Sequence, residues 1–284
     1  MSLPSFDPRV TPARPDLAAE FLRGKVEAAR FADGESLRVV APSAPLRRAP
    51  DFDAPLDTEA LYGEAAAVYE TRGDWRWVQL ARDGYVGYLP AGAVGPAGAP
   101  THTVATVRTH AYPGPTIKRP PHFALSFSAL VEVTRFEGDF AVTNDGLFLY
   151  AKHLAPLDAR EPDFIAVAER FLETPYLWGG RTSEGIDCSG LAQAALMAAG
   201  IAAPRDSDMQ EAALGQPLPL SGALADLRRG DLVFWKGHVG IMRDAATLLH
   251  AKGWSMKVTS EPLAEANERI AKSGGGAITS IRRL

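Results

Sequence analysis

Two stretches in the first half of the chain repeat one turn-and-strand pattern. Each has a Gly-Asp turn before an aromatic strand, at Gly73 and Gly138, and an Asp-Gly turn after it, at Gly84 and Gly146. Turns of this kind between β-rich segments are hairpin signals. The copies are 65 residues apart at the first turn and 62 at the second, so each unit has the length of one small barrel. The repeat therefore predicts two consecutive barrels.

This repeat, and a change of composition after its second copy, divide the chain into four predicted segments. We expect an N-terminal extension at 1–36, two barrels at 37–95 and 96–158, and a larger domain at 159–284. The stretch 91–100 is rich in Gly, Ala and Pro, which are residues typical of loops, and is predicted to link the two barrels.

The last segment combines helical and strand patterns. Apolar residues at helical spacing predict a helix over Phe164–Leu172, and a second helix is expected over Leu191–Ala199. Three later apolar runs, Leu232–Trp235, Val239–Met242 and Thr247–Ala251, are predicted to be sheet strands. Helices followed by an antiparallel sheet predict an α+β fold.

Composition and charge exclude several classes of protein. The net charge is −4 and no window concentrates Lys and Arg, whereas nucleic-acid-binding proteins carry a clustered basic surface. The longest apolar run, Leu191–Ala203, is too short to span a bilayer. The start of the chain lacks the pattern of a signal peptide, and one cysteine cannot form an internal disulfide. We therefore expect a cytoplasmic protein that binds neither nucleic acid nor membrane. We also expect a monomer, although none of these observations fixes the oligomeric state.

The single cysteine of the chain, Cys188, directly precedes the second predicted helix. Backbone N–H groups at a helix start favour the thiolate and lower the pKa of the thiol, which makes sulfur a nucleophile at neutral pH. A lone cysteine is more often a small buried hydrophobic residue. The polar neighbours Asp187 and Ser189 favour the reactive role, because a core position would not favour them. We therefore expect Cys188 to be a catalytic nucleophile.

Two histidines of the last strands are candidates for the base. His238 opens one strand and His250 closes the next. If these strands form a hairpin that turns about Asp244, the histidines lie directly opposite each other and point to the same face. His238 would then deprotonate Cys188, and His250 would orient the imidazole of His238. A turn centred half a residue later would put the histidines on opposite faces, and two purely structural histidines are the other interpretation.

Six short motifs in the last domain occur together in one known family. In chain order they are Thr174–Gly180, Asp187–Leu191, Pro204–Ser207 with Gln210, Gly230–Phe234, Gly237–Ile241 and Leu249–Ala251. With these motifs, residues 160–284 resemble the NlpC-type cell-wall peptidases, which are papain-like cysteine enzymes of bacteria. The resemblance implies Cys188, His238 and His250 as the catalytic residues, with the backbone N–H of the cysteine in the oxyanion hole.

The first half of the chain resembles the bacterial SH3-like modules that accompany this peptidase in muropeptide-recycling enzymes. The expected fold is therefore α+β, with two small SH3-like barrels before a papain-like domain. The resemblance implies an endopeptidase that cuts the bond from γ-D-glutamate to an L-diamino acid in short cell-wall peptides. It also implies a requirement for a free N-terminal L-alanine, and no metal or organic cofactor.

The resemblance further implies a set of substrate-binding residues. They are Tyr176, Trp178, Asp187, Ser189, Asp206 and Ser207 of the last domain, with Glu64 and Tyr85 of the first barrel. Asp187 and Glu64 would neutralise the buried ammonium of the substrate. The second copy of the repeat has Leu147 at the position of Tyr85, so only the first barrel is expected to face the substrate.

Each assignment leaves an alternative open. Tyr176 and Trp178 are also compatible with core aromatic residues, Glu64 with a solvated surface charge, and Asp206 with Ser207 as a helix cap. For the whole protein, one rival function is an inactive wall-peptide-binding protein. The intact cysteine and histidines argue against it. A second rival is an amidase or acyltransferase on the same thiol scaffold.

Overall fold

The computed structural model describes residues 6–220 and 226–284. The chain divides into two compact units at residue 157. The first unit holds both predicted barrels and the N-terminal extension, of which residues 1–5 lie outside the described residues. The second unit holds all six peptidase-like motifs. Among the described residues, no helix is both long enough and apolar enough to cross a membrane.

The first barrel is one seven-stranded antiparallel sheet. In spatial order its strands are Leu56–Leu61, Ser43–Arg47, Val86–Pro90, Trp75–Leu80, Ala65–Arg72, Glu35–Val39 and Val94–Pro96. The predicted turn residues Gly73 and Gly84 have positive φ angles, of +57° and +77°, which glycine adopts without strain. Alternate strand residues such as Leu46, Val78 and Leu80 are fully buried in the core.

One segment prediction for this part of the chain needs correction, and one segment has more structure than the sequence indicated. The stretch 91–100 is not simply a linker, because 91–93 form a 3-10 helix and Val94–Pro96 pairs with Glu35–Val39. The N-terminal extension is itself folded onto the barrel. It contains the paired strands Ala18–Ala19 and Phe31–Ala32 with a 3-10 helix at Glu20–Leu22. Its apolar residues Leu17, Ala19 and Leu22 pack against Tyr69, Trp77 and Val86 of the barrel.

The second barrel is built from three small antiparallel sheets. Its strands are His102–Val104, Arg108–Ala111, Phe123–Ser126, Leu130–Val131, Val133–Glu137, Phe140–Thr143, Phe148–Tyr150 and Leu154–Pro156, with a 3-10 helix at Ala151–His153. Val104, Leu125 and Leu149 are fully buried in its core. Leu147, the counterpart of Tyr85 in the repeat, also belongs to this core.

The second unit is a six-stranded antiparallel sheet with helices. In spatial order its strands are Gln216–Pro217, Ser280–Arg283, Leu232–Trp235, His238–Met242, Thr247–Lys252 and Lys257–Pro262. Its described helices are Phe164–Glu169, Cys188–Ala198, Ser207–Ala213 and Leu263–Lys272. The predicted α+β fold is thus confirmed.

Several elements of this unit differ from the sequence prediction. The first helix ends at Glu169 rather than at Leu172, and the second begins at Cys188 rather than after it. The helix Leu263–Lys272 was not predicted, although it buries Leu263 and Ala266 in the same core as the sheet residue Trp235. The strand Ser280–Arg283 was also missed, and it lies inside the sheet next to Leu232–Trp235.

Candidate active site

The helix that carries Cys188 begins with a capped turn. Asp187 is its N-cap, and one carboxylate oxygen accepts the N–H of Gly190 at 2.7 Å. Glycine is required at 190, because a Cβ atom there would lie 2.5 Å from the carbonyl oxygen of Gly180. Cys188 is the first helical residue, so its own N–H has no acceptor within the helix. The thiol therefore lies at the end of the helix where the backbone dipole favours negative charge.

A buried arginine fixes this capped turn. Arg205 is 1% exposed and binds Asp187 through two contacts, at 2.7 and 3.0 Å. The same guanidinium donates to the Ser189 hydroxyl at 2.8 Å. Gln210 adds a hydrogen bond from its amide nitrogen to the Ser189 carbonyl at 2.9 Å. Both residues belong to the motif Pro204–Ser207 with Gln210, but their part in holding the turn before Cys188 was not predicted from the sequence.

The sulfur of Cys188 lies beside the strand that begins with His238. The N–H of Val239, the residue after His238, donates to the thiol, and the cysteine helix packs against the strand His238–Met242. Burial raises the pKa of the Cys188 thiol, and the Asp187 carboxylate raises it further. Hydrogen bonds from Val239 and Ser189 act in the opposite direction but are outweighed. The expectation that the helix start lowers this pKa is therefore wrong for the substrate-free protein.

The two predicted histidines lie on one face of the sheet and contact each other. Nε2 of His238 is 2.8 Å from Nδ1 of His250. The predicted register is wrong, since the pairs Ile241–Leu249 and Met242–Leu248 centre the turn on Ala245 rather than Asp244. This shift by two residues preserves which face each side chain occupies, so the histidines become diagonal instead of direct neighbours.

A glutamate that the sequence did not single out extends this histidine pair. Nε2 of His250 lies 2.7 Å from Oε1 of Glu261, on the neighbouring strand Lys257–Pro262. Lys252 and Arg269 bind the same carboxylate. Burial alone would raise the pKa of Glu261, but hydrogen bonds from His250, Arg269 and Lys252 outweigh burial and hold that pKa well below its usual range. Glu261 is therefore ionised.

The resting pair of thiol and imidazole is neutral. Burial lowers the pKa of His238, and the nearby His250, Arg269 and Lys252 lower it further, partly offset by Glu261. An isolated charge on either partner is therefore disfavoured in this buried site. Transfer of the thiol proton to the imidazole would create both charges in the same site, so each would offset part of the cost of the other. In the substrate-free site the ion pair is therefore disfavoured, and proton transfer would accompany attack on a substrate.

The remaining predicted residues Tyr176, Trp178 and Asp206 of the second unit differ in burial and in contacts. Tyr176 is half-buried, and burial raises the pKa of its hydroxyl group, with further increases from the nearby Cys188 and Asp187. Trp178 is 65% exposed and is therefore not a core aromatic residue. Asp206 directly precedes the helix Ser207–Ala213, but its side chain makes no capping hydrogen bond.

Glu64 and Tyr85 belong to the first unit and are both buried there. Glu64 forms an ion pair with Arg82, and its other oxygen accepts the N–H of Leu61 at 3.1 Å. It is therefore not a solvated surface charge. Tyr85 is 4% exposed and packs in the core of the first barrel. No group of three or more His, Cys, Asp or Glu residues in the described part of the chain is arranged to hold a metal ion.

Comparisons with known proteins match both units. The sequence model of a bacterial dipeptidyl-peptidase SH3 domain matches residues 46–94. The model of the NlpC/P60 family matches residues 173–270, a range that includes Cys188, His238, His250 and Glu261.

Individual relatives support the same assignment. A gamma-D-glutamyl-L-lysine dipeptidyl-peptidase of Bacillus subtilis is 30% identical over 227 residues, which cover 69% of this chain and 72% of the relative. An enzyme of the same name from Bacillus cereus is 26% identical over 73% of this chain and 71% of its own length. A Dipeptidyl-peptidase 6 of Lysinibacillus sphaericus is 30% identical, but the match spans only 48% of it.

Solved structures give the same fold. An NlpC/P60 family protein from Bacillus cereus superposes with a TM-score of 0.72, covering 88% of this chain and 99% of that one. At 20% identity this likeness shows a shared fold.

Proposed function

Since this chain belongs to the NlpC/P60 family of cell-wall peptidases and is a cysteine peptidase, we propose that it cuts one bond of short wall peptides. That bond joins the γ-carboxyl group of D-glutamate to an L-diamino acid. The observation that carries the proposal is the 30% identity with the Bacillus subtilis gamma-D-glutamyl-L-lysine dipeptidyl-peptidase, over more than two thirds of both chains.

We propose that acylation starts with proton transfer from the Cys188 thiol to Nδ1 of His238. Nε2 of His238 is hydrogen-bonded to His250, so Nδ1 is the ring nitrogen left to act on the sulfur. The sulfur attacks the γ-glutamyl carbonyl carbon and forms a tetrahedral oxyanion, which the Cys188 N–H stabilises. When this intermediate collapses, the C–N bond breaks and the imidazolium gives its proton to the departing amine of the diamino acid.

The second half of the reaction regenerates the enzyme. A water molecule gives one proton to Nδ1 of His238, and the resulting hydroxide adds to the thioester carbon. The C–S bond then breaks, and the imidazolium returns its proton to the sulfur of Cys188. L-Ala-D-Glu leaves as the acid product. Each half of the reaction uses the imidazole of His238 first as a base and then as an acid.

The proposal includes recognition of a free N-terminal L-alanine. Asp187 lies next to the nucleophile in sequence, and the Tyr176 hydroxyl lies near both Asp187 and Cys188, which places polar acceptors close to the sulfur. Asp187 is already paired with Arg205, so an ammonium would share a carboxylate that is partly neutralised. We assign Ser189, Asp206, Ser207 and Trp178 to the same subsites, and Glu64 and Tyr85 to contacts with the alanine end, on the sequence resemblance.

We also propose that the enzyme acts in the cytoplasm, as a monomer, on peptides released during wall turnover. This part of the proposal rests on the resemblance to muropeptide-recycling enzymes. Fractionation of cells that produce the protein would test the location, and sedimentation of the purified chain would test the oligomeric state.

Mass spectrometry of four parallel digestions tests the central part of the proposal. L-Ala-γ-D-Glu-L-Lys and L-Ala-γ-D-Glu-diaminopimelate are each incubated with the enzyme, with and without N-acetylation. The proposal predicts release of the dipeptide L-Ala-D-Glu from at least one free-amine peptide, and much slower cleavage of its acetylated form. Release of ammonia or free alanine instead would favour an amidase or a different bond, and binding without cleavage would favour the inactive binding protein.

A further inference from the structure

The carboxylate of Glu261 lies at the far end of a continuous hydrogen-bonded chain from His238. The chain runs from Nε2 of His238 to Nδ1 of His250 over 2.8 Å, and from Nε2 of His250 to Oε1 of Glu261 over 2.7 Å. Glu261 pairs across the strands with Leu248, and Thr259 pairs with His250. Glu261 and His250 are therefore diagonal neighbours on the same face of the sheet.

The direction of every hydrogen bond in this chain follows from the charge of Glu261. An ionised carboxylate only accepts hydrogen bonds, so Nε2 of His250 must carry the proton. A neutral imidazole has one N–H, so Nδ1 of His250 accepts and Nε2 of His238 must donate to it. Nδ1 of His238 is then the ring nitrogen without a proton. This series of hydrogen bonds thus leaves the lone pair of the base on Nδ1 of His238, the ring nitrogen that is not hydrogen-bonded to His250.

The carboxylate is held in place by two cations from different elements. Nζ of Lys252, on the strand Thr247–Lys252, lies 2.7 Å from Oε1. Arg269, on the helix Leu263–Lys272, binds both oxygens, with Nη1 2.8 Å from Oε2. These contacts fix the position of the carboxylate and keep it ionised, with its side chain only 13% exposed.

We propose that Glu261 is a positioning residue of the catalytic site, which sets the tautomers of His250 and His238 so that Nδ1 of His238 is the base. Without the carboxylate, His250 can carry its proton on Nδ1 and donate to His238, and the proton of His238 then moves to Nδ1. That tautomer cannot accept the proton of the thiol. The inference rests on the proposed roles of Cys188, His238 and His250.

Histidine-selective ¹⁵N NMR of the full-length wild-type chain tests the tautomers without any need for turnover. We expect both histidines to be protonated on Nε2 and unprotonated on Nδ1 at pH 7.5. In Glu261→Gln, His250 should shift toward the form protonated on Nδ1, because the amide can donate to Nε2 while its oxygen faces Arg269 and Lys252. A wild-type spectrum with the His250 proton on Nδ1 would overturn the inference.

Kinetics with the wall tripeptide give the second readout. Glu261→Gln should lower kcat by about 10- to 100-fold while KM stays within about twofold, since the residue does not touch substrate. Glu261→Asp, which keeps an acceptor-only group, should recover a large part of that loss. The matched control is Glu169→Gln, which removes a glutamate that bridges Arg229 and Arg243 in the same unit. That control should keep wild-type kcat.

The outcomes separate this inference from the proposed function. If the wild-type chain cleaves none of the wall peptides, the proposed function fails, but the NMR tautomers still decide the role of Glu261. If Glu261→Gln does not fold, the wild-type spectrum and Glu261→Asp carry the test. If Glu261→Gln keeps the wild-type tautomers and its kcat is within about threefold of the wild-type value, Glu261 has no positioning role.

Discussion

The guanidinium of Arg205 binds the carboxylate of Asp187 through two contacts, at 2.7 and 3.0 Å, with both residues buried. Asp187 caps the helix that begins with Cys188, so this ion pair fixes the position of the sulfur relative to the sheet. An arginine is suited to the role because its planar fork matches a carboxylate in two places and also reaches the Ser189 hydroxyl.

Replacing Arg205 with methionine should therefore destabilise the second unit strongly. The Asp187 carboxylate would remain buried without its cation, which typically costs about 3–5 kcal/mol. Urea unfolding followed by fluorescence would measure the change. Arg170→Met is the matched control, because Arg170 also binds a carboxylate through two contacts, that of Glu161, but both side chains are about a third exposed. We expect the control to cost less than about 1 kcal/mol; equal losses would argue against a special role for the buried pair.

The two histidines should contribute unequally to turnover. His238→Ala should be nearly as damaging as loss of the thiol, because His238 is the base proposed to take the proton from Cys188. His250→Ala should be milder, since that residue orients the base and groups that act as a unit are not additive. Iodoacetamide labelling of Cys188 at pH 7 should also slow in His238→Ala, because the imidazole no longer takes the thiol proton as the sulfur attacks. An unchanged labelling rate would mean that the sulfur and the imidazole are not paired.

The buried neutral state of His238 predicts a pH dependence of stability. Burial lowers the pKa of His238 from 6.5 to about 3 in the folded protein. Below about pH 6.5 the unfolded chain binds a proton that the folded protein does not, so stability falls as pH decreases across this window. Between pH 7.5 and 5.5, the wild type should lose about 1 kcal/mol more free energy of unfolding than His238→Gln. Equal losses of free energy of unfolding in the two proteins would show that folding does not lower the pKa of His238.

The ion pair between Glu64 and Arg82 competes with the substrate role proposed for Glu64. If Glu64 binds the ammonium of the substrate, Glu64→Ala should lower kcat/KM for free-amine peptides by about 30- to 1,000-fold, and much less for N-acetylated peptides. Arg82→Met is the control, because it breaks the same ion pair but keeps the carboxylate. The ratio of kcat/KM for free-amine peptides to kcat/KM for N-acetylated peptides should fall strongly in Glu64→Ala only. A similar loss on both substrates would leave Glu64 with a structural role alone.

The sequence was sufficient to predict the parts of the fold that depend on local patterns. The hairpin turns at Gly73 and Gly84 were predicted from the Gly-Asp and Asp-Gly pairs, and both glycines have positive φ angles, which glycine adopts without strain. The helix after Asp187 was predicted from its apolar residues, but its exact start was not. The strand Ser280–Arg283 was missed because its place in the sheet depends on pairing with Leu232–Trp235, nearly fifty residues earlier in the chain.

The candidate site was predictable only for residues that lie within short motifs. Cys188, His238 and His250 could be chosen from residue type and spacing, and an error of one residue in the turn centre still left both histidines on one face. Glu261 gave no local signal, because its contact with His250 depends on the register of a strand that no motif marks. The raised pKa of the Cys188 thiol could also not be predicted from the sequence, since it depends on how completely the folded protein buries the sulfur.

Turnover by Cys188→Ala tests the central claim most directly. Wild-type enzyme and Cys188→Ala are incubated with L-Ala-γ-D-Glu-L-Lys and L-Ala-γ-D-Glu-diaminopimelate, and release of L-Ala-D-Glu is followed by mass spectrometry. The substitution removes one buried sulfur atom, so the variant should fold and still bind the peptide. We predict that its turnover is abolished while the wild type releases the dipeptide. Residual activity within about tenfold of the wild type, a barrier difference below about 1.4 kcal/mol, would contradict the claim that Cys188 is the nucleophile.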